Sequence, residues 1–161
     1  MENHATQRFR RFMEALEDSA VPTSRLIEVI NRWIENEYVE PADQAWLNDH
    51  CGARVLRMNP PSPVDPSQTV VEHYEIEDDQ TVEPKTMPMR ELEAAAVHLF
   101  LEYLQEYYRK HDDTKRPLIK RCVCCERLFR TFQGYPDRVT CSKSCTHKNW
   151  QQSRGLEKRK R

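Results

Sequence analysis

The 161-residue sequence predicts an α+β fold: a mainly helical N-terminal domain with a short β-hairpin, followed by a small cysteine-rich module. Three observations lead to this prediction. Apolar residues recur at helical spacing over most of residues 1–50 and again over 89–110. Four prolines between residues 60 and 66 separate two short runs of strand-forming residues. Five of the six cysteines lie between residues 122 and 145.

The first 50 residues are predicted to form three helices. The first covers Met1 to Ala20, where apolar side chains recur every three or four residues. The second runs from about Arg25 to Tyr38, and Thr23 or Ser24 can act as its N-cap. A short third helix begins at Pro41, because proline is favoured in the first turn of a helix.

The middle of the chain predicts a hairpin and then a long helix. Residues 54–58 and 69–76 are strand candidates that can pair across the proline-rich loop. The pattern from Met89 to Lys110 is the strongest helix signal, because neither Gly nor Pro interrupts it. We interpret the apolar stripes of these helices as protein core and not as a ligand site. A polar connection follows, and we place the boundary between domains 1–114 and 115–161 there.

The two predicted domains carry opposite charge. The formal net charge is −1, from 25 Lys and Arg and 26 Asp and Glu, but 14 of the basic and only three of the acidic residues lie in 115–161. The C-terminal domain therefore has a balance of +11 and the N-terminal domain one of −12. Such an excess predicts a polyanionic partner, although charge runs are also typical of a solvated surface.

Neither a membrane span nor a signal peptide is apparent in the sequence. No apolar run reaches the roughly 18 residues that a membrane helix needs. The first residues also lack the hydrophobic stretch of a secretory signal. We therefore expect a cytoplasmic protein with no membrane partner, and in a reducing compartment a cysteine cluster more often binds metal than forms disulfides.

The cysteines have the spacing of a zinc site. Cys122 and Cys125 form a C-x2-C pair, and Cys141 and Cys145 form a C-x3-C pair after 15 intervening residues. Two thiolates separated by two residues can turn to one point, and two separated by three lie one turn apart on a helix face. The segment 127–140 predicts a hairpin between the pairs, which makes the arrangement treble-clef-like. We expect one structural Zn²⁺, with all four positions filled by thiolates.

Alternatives to this ligand set remain open. We interpret Cys124 as a bystander, because Cys122 and Cys125 have the usual knuckle spacing. His147 can replace Cys145 as the fourth ligand, although the resulting C-x5-H pair fits a helix face less well. The cysteines can also form a redox couple or bind nothing.

The module resembles the small C-x2-C…C-S-x2-C zinc fingers of bacterial proteins. More loosely, it resembles the CGNR-type finger that follows a helical, ligand-sensing-like domain in bacterial transcription regulators. A long helix that runs into the finger through residues 118–121 is similar in layout, and the resemblance covers residues 92–154. After the last cysteine the chain reads Thr-His-Lys-Asn, without the Gly-Asn-Arg of that family. The resemblance is carried by the basic helix after the last pair, by Cys125-x3-Phe129 and by Cys141-Ser142-x2-Cys145.

From these features we expect a zinc-dependent, non-enzymatic nucleic-acid-binding protein: a DNA-binding transcriptional regulator, with DNA favoured over RNA. Basic side chains would bind phosphates and release counterions. The helix after the last cysteine can enter a major groove, or its tryptophan can stack on an unpaired base. Domain 1–114 would bind a protein, a small effector or its own copy. The candidate nucleic-acid contacts are Arg127, Arg130, Arg138, Lys143, Lys148, Asn149, Trp150 and Arg154.

Two other functions compete with this hypothesis. The first is a protein-interaction adaptor whose finger recognises an acidic protein surface. The second is an enzyme, because His147 and Asn149 invite comparison with His-Asn-His nucleases. The predicted hairpin has no histidine to hold a catalytic cation, however, and the chain lacks a G-x-S-x-G, a phosphate-binding glycine loop and an H-E-x-x-H.

The charge split also suggests that the acidic domain folds back on the basic one and weakens nucleic-acid binding.

Overall fold

The computed structural model describes residues 4–18, 24–50, 57–58, 71–72, 84, 87–109, 115–135 and 137–159. Over these residues the protein is mostly helical, with two small antiparallel sheets of two strands each, which confirms the predicted mixture of helix and hairpin. No helix in the described part is long and apolar enough to cross a membrane. In chain order the elements are α1 His4–Glu17, α2 Arg25–Asn36, α3 Pro41–His50, β1 Arg57–Met58, β2 Val71–Glu72, α4 Met89–Arg109, β3 Pro117–Arg121, β4 Leu128–Phe132 and α5 Lys143–Arg159.

The N-terminal helices lie where the apolar periodicity predicts them. Phe9, Met13 and Leu16 of α1 are three or four residues apart and all buried. Their spacing places them on one face, which packs against α4. The predicted ends of α1 at residues 1–3 and 19–20 lie outside the described residues.

The two ends of α2 are stabilised by different contacts. Ser24 occupies the predicted N-cap position, but its hydroxyl caps no amide of the helix and donates to a carboxylate oxygen of Glu93 in α4 at 3.0 Å. A carboxylate is a stronger acceptor than a neutral group, and this bond links the two helices. At the other end Glu37 adopts the left-handed conformation, with φ of 57°, and its amide donates to the Trp33 carbonyl at 2.8 Å.

Helix α4 is the centre of the core. Val97, Phe100 and Leu104 are fully buried, and the helix contacts α1, α2 and α3. The buried hydroxyl of Tyr103 accepts a hydrogen bond from the Trp33 indole nitrogen at 3.1 Å, so the polar atom of each ring has a partner. The interpretation of the apolar stripes as protein core is confirmed. We call helices α1 to α4 the helical body.

The predicted hairpin across the proline-rich loop is confirmed where the structure describes it. Arg57 pairs with Glu72 and Met58 with Val71 in an antiparallel ladder. The rest of both predicted strands, and the loop between them, lie outside the described residues.

The second hairpin corrects two predictions. Residues 118–121 do not continue a helix: they form β3, which pairs with β4 from Pro117 opposite Phe132 to Arg121 opposite Leu128. Proline has no amide hydrogen and disfavours helix in the residue before it, so α4 cannot extend through this point. Residues 138–140, predicted as the second strand of a hairpin with 128–132, form no strand. The hairpin partner of β4 therefore precedes the first cysteine pair, which lies at the turn.

Strands β3 and β4 pack directly on the helical body. Ile119 and Leu128 are buried in the same cluster as the apolar residues of the helices. The backbone amide of Leu128 also donates to a carboxylate oxygen of Glu17 at the end of α1, at 3.4 Å. We call residues 115–159 the C-terminal module. Its boundary after residue 114 stays a prediction, and the hairpin shares the core of the body.

Candidate metal centre

Four thiols converge between the β3–β4 turn and the start of α5. The sulfur atoms of Cys122, Cys125, Cys141 and Cys145 all lie within 4.8 Å of one another. Those of Cys125 and Cys145 are each 3.6 Å from that of Cys141. Sulfurs at the corners of a tetrahedron with bonds of roughly 2.3 Å to a central zinc are about 3.8 Å apart. The separation fits a shared metal ion and is far longer than the roughly 2.05 Å of a disulfide bond.

A tight turn presents the first pair. The amide of Cys122 donates to the Arg127 carbonyl at 2.9 Å, and the amide of Glu126 donates to the Cys122 carbonyl at 2.8 Å. Glu126 has a φ of 60°, the left-handed conformation that closes the turn. The Arg121 guanidinium also donates to the Glu126 carbonyl at 2.7 Å. These bonds reverse the chain within six residues and bring both sulfurs to one side.

The second pair is positioned by the N-terminus of α5. Ser142 is the residue before the helix, and its hydroxyl accepts a hydrogen bond from the amide of Cys145 at 3.2 Å. This is an N-cap contact, which satisfies an amide that has no partner within the helix. The serine between the two cysteines therefore begins the helix at the point that sets their sulfurs one turn apart. The sequence pattern contained this signal, a serine three residues before Cys145, but our prediction did not use it.

Hydrogen bonds already favour the thiolate at Cys122. Burial alone would raise the pKa of its thiol, but amide hydrogens from Cys124, Cys125 and Cys141 lower the pKa to about 6. The amide of Cys141 lies 3.4 Å from the sulfur. Burial, and then the neighbouring thiols of Cys125 and Cys145, raise the pKa of Cys141. A divalent cation would reverse that preference, because it stabilises the deprotonated form of every ligand.

The two alternative ligands lie outside the group of four. Cys124 is half-buried and packs against the cluster without joining it. The side chain of His147 is exposed, and its ring is directed to Trp150 and Gln151. The convergence of the predicted four cysteines is therefore confirmed, and four soft sulfur ligands can bind one metal ion.

Two arginines predicted to contact nucleic acid are instead paired with acids of the helical body. Arg130 is only 2% exposed and forms an ion pair with Glu106 of α4. Its strand is buried on both faces, so this side chain cannot reach a phosphate in this fold, which corrects its predicted role. Arg127 donates to a carboxylate oxygen of Asp18 at 2.5 Å.

A third arginine supports the loop that leads to the second cysteine pair. The Arg138 guanidinium donates to the carbonyls of Thr140 and Cys141 at 3.3 and 3.2 Å. It also lies over the Phe129 ring, 5.6 Å from the centroid. These contacts hold the loop against β4, so Arg138 has a structural role beside the site.

The remaining candidates lie on α5 and face solvent. From residue 143 to 155, every side chain of this helix except Cys145 and Asn149 is exposed. Asn149 is half-buried, one turn after Cys145 on the side of the metal site. Four exposed residues lie on the opposite side with spacings of four, three and four. We call this set the outward stripe; it consists of Lys143, His147, Trp150 and Arg154.

Comparison with known proteins adds no assignment. No family model, no curated protein and no solved structure matches the chain. The resemblance to CGNR-type fingers therefore rests on the motifs alone, and the function must be argued from the geometry.

Proposed function

We propose that this protein binds nucleic acid through a module whose shape depends on one structural Zn²⁺ ion, held by Cys122, Cys125, Cys141 and Cys145. The observation that supports this most directly is the coupling of the thiol cluster to α5. The cluster anchors the first turn of a helix that carries five basic residues and one acidic residue and is exposed over most of its described length.

Zinc suits the site because four thiolates fill its preferred tetrahedron. No coordination position then remains for water or substrate, so the ion would have a structural and not a catalytic role. The module also needs such an ion, because among the described residues its own buried cluster consists of Phe129 and the cysteines Cys122, Cys141 and Cys145. A segment of this size with so small a core obtains its folding free energy from metal binding.

Nucleic acid suits α5 because its described cations are not neutralised by acidic side chains. The structure describes no acidic partner for Lys143, Lys148 or Arg154, whereas the hairpin arginines are paired with acids of the body. Cations that are not neutralised within a protein release counterions from a phosphate chain on contact, and this drives binding. The resemblance to fingers of bacterial regulators makes DNA the first polymer to test, with control of transcription as the expected process.

A salt series on the zinc-loaded full chain tests the proposal. Binding of fluorescein-labelled DNA and RNA oligonucleotides is measured by anisotropy from 50 to 300 mM KCl. Affinity should fall steeply with salt, and Lys148→Ala should reduce the slope of log K against log[salt] by roughly 0.7 to 0.9. Arg90→Ala, which removes an exposed charge from the helical body, is the matched control and should leave the slope unchanged.

A second candidate function is a protein-interaction adaptor. Val123, in the turn of the first cysteine pair, and Val139, two residues before Cys141, are exposed apolar side chains, and the Val123 amide donates to the Val139 carbonyl at 3.0 Å. Exposed apolar groups held next to each other are typical of protein-binding surfaces. If the zinc-loaded chain binds no DNA or RNA even at 50 mM salt, the nucleic-acid proposal fails and the adaptor is favoured.

A further inference from the structure

We propose that α5 recognises single-stranded nucleic acid, with Trp150 as the surface on which an unpaired base stacks. This inference rests on the proposed function. It adds that the nucleic acid is single-stranded and that Trp150 contacts its bases.

The outward stripe has the layout of a short strand-binding surface. Its four residues fall within about 60° of arc on the helix and extend over about 16 Å along the axis. Positive side chains, Lys143 and Arg154, lie at its two ends, and aromatic rings lie between them. The first turn of α5 contains no acidic side chain that could pair with Lys143.

Trp150 belongs to neither of the two buried clusters formed by the described residues. Trp33 is 3% exposed and hydrogen-bonded in the core, whereas Trp150 is 51% exposed. Its ring contacts among the described residues are with two members of the stripe. The His147 ring lies 6.0 Å away at an interplanar angle of 24°, and the Arg154 guanidinium lies 4.2 Å from the ring centroid. Half of a large apolar ring is thus presented to solvent in the middle of a cationic surface.

A single strand matches this surface better than a duplex does. In a duplex the faces of the bases are covered by their neighbours, and a helix in the major groove must offer hydrogen-bonding groups to base edges. Asn149, the side chain best suited to that task, is half-buried on the side of the metal site. An unpaired base has an open face, and stacking on an aromatic side chain contributes about 1 to 3 kcal/mol per base.

Arg154 adds to the stacking site. The central carbon of its guanidinium lies over the indole at a cation–π distance, which keeps a positive charge beside the ring. A base that stacks on the open part of the indole would bring its phosphate close to this charge. Lys143 at the other end of the stripe can bind a second phosphate. The site thus combines one stacking surface with two flanking cations, the arrangement that binds single strands with little sequence preference.

The test compares binding of single-stranded and double-stranded oligonucleotides, with and without the tryptophan side chain. Labelled 12-nucleotide single strands of DNA and of RNA, and the 12-base-pair duplex of the same DNA sequence, are titrated by anisotropy with the zinc-loaded full chain. We expect both single strands to bind more tightly than the duplex, and the DNA and RNA arms show which sugar is preferred. Trp150→Ala should weaken single-strand binding about 5- to 150-fold, as expected for loss of one stacked base. Trp150→Phe should restore most of it.

The controls separate this inference from the proposed function. Trp150 is exposed, so zinc content and circular dichroism should be unchanged in both variants. Duplex binding that equals or exceeds single-strand binding, or a Trp150→Ala variant with unchanged affinity for single strands, overturns the inference while nucleic-acid binding stands. Absence of binding to all three oligonucleotides at 50 mM salt overturns the proposed function itself.

Discussion

The helical body and the C-terminal module are stabilised in different ways. The body buries a continuous apolar cluster contributed by four helices, including Phe9, Leu47 and Phe100. The separate buried cluster of the module is one phenylalanine surrounded by cysteines. Apolar burial accounts for the first region. The second has little apolar burial of its own, and its four thiols lie close enough together to bind one metal ion.

The hairpin belongs to both regions. Leu128 lies in the core of the body, and the next residue, Phe129, lies in the cluster of the module. Successive side chains of a strand point to opposite faces, so β4 joins the two cores with adjacent residues. Both strands of the hairpin pack on the body, so the hairpin links the cysteine cluster to it. Each of the following predictions tests how separable the two regions are.

The largest effect is expected from loss of a metal ligand. Cys125→Ser and Cys145→Ser should each abolish binding of one zinc per chain and unfold the module, because apparent binding energies of structural zinc are about 10 to 16 kcal/mol. Elemental analysis measures the zinc, and hydrogen exchange should show lost protection in α5 with the body largely retained. Cys124→Ser is the matched control. If that variant loses zinc and Cys125→Ser keeps it, the ligand set is wrong.

The next effect is expected where the two cores meet. Leu128→Ala removes a fully buried side chain from the core of the body and should lower the free energy of unfolding by about 2 to 5 kcal/mol. Urea denaturation followed by circular dichroism measures this. Val139→Ala, at an exposed position of the same module, should change it by about 0.5 kcal/mol or less. Equal losses in the two variants would show that the hairpin does not contribute to the body.

A smaller effect is expected from the ion pair between the regions. Arg130→Met leaves the Glu106 carboxylate without its partner and should cost about 1 to 3 kcal/mol of stability. Because Arg130 is buried, the salt slope of nucleic-acid binding should not change. Glu106→Gln keeps an acceptor for the guanidinium and should be milder. A reduced salt slope in the arginine variant would return Arg130 to the binding surface.

The smallest effect is a pH dependence confined to the body. Burial, and then the charge of Arg8, lower the pKa of His98 below its ordinary value of 6.5. Below about pH 6.5 the unfolded chain takes up a proton that the folded protein does not, so stability falls as pH is lowered towards the depressed pKa. His98→Gln should reduce the loss of unfolding free energy between pH 7.5 and 5.5. His50→Gln, at an exposed position, should not.

Several features were predictable because they are local. Each helix follows from the spacing of apolar residues within that helix. The convergence of the four cysteines follows from two short pairs, one in a tight turn and one in the first turn of a helix. The serine between Cys141 and Cys145 was also readable as an N-cap. The hairpin was mispredicted because β4 is apolar enough to pair with either neighbouring segment. The hydrogen-bonded turn from Cys122 to Arg127 pairs β4 with the preceding segment, β3.

By itself, then, the sequence determined the helices up to residue 109, the spacing of the cysteines and the opposite charges of the two halves. Only the tertiary structure decided which cations remain exposed. Arg127 meets Asp18, 109 positions earlier in the chain, and Arg130 meets Glu106 on the central helix. Such pairings depend on how the hairpin packs on the body. They join residues far apart in the chain, so no local sequence pattern predicts them. The same structure leaves Lys143, Lys148, Trp150 and Arg154 of α5 facing solvent.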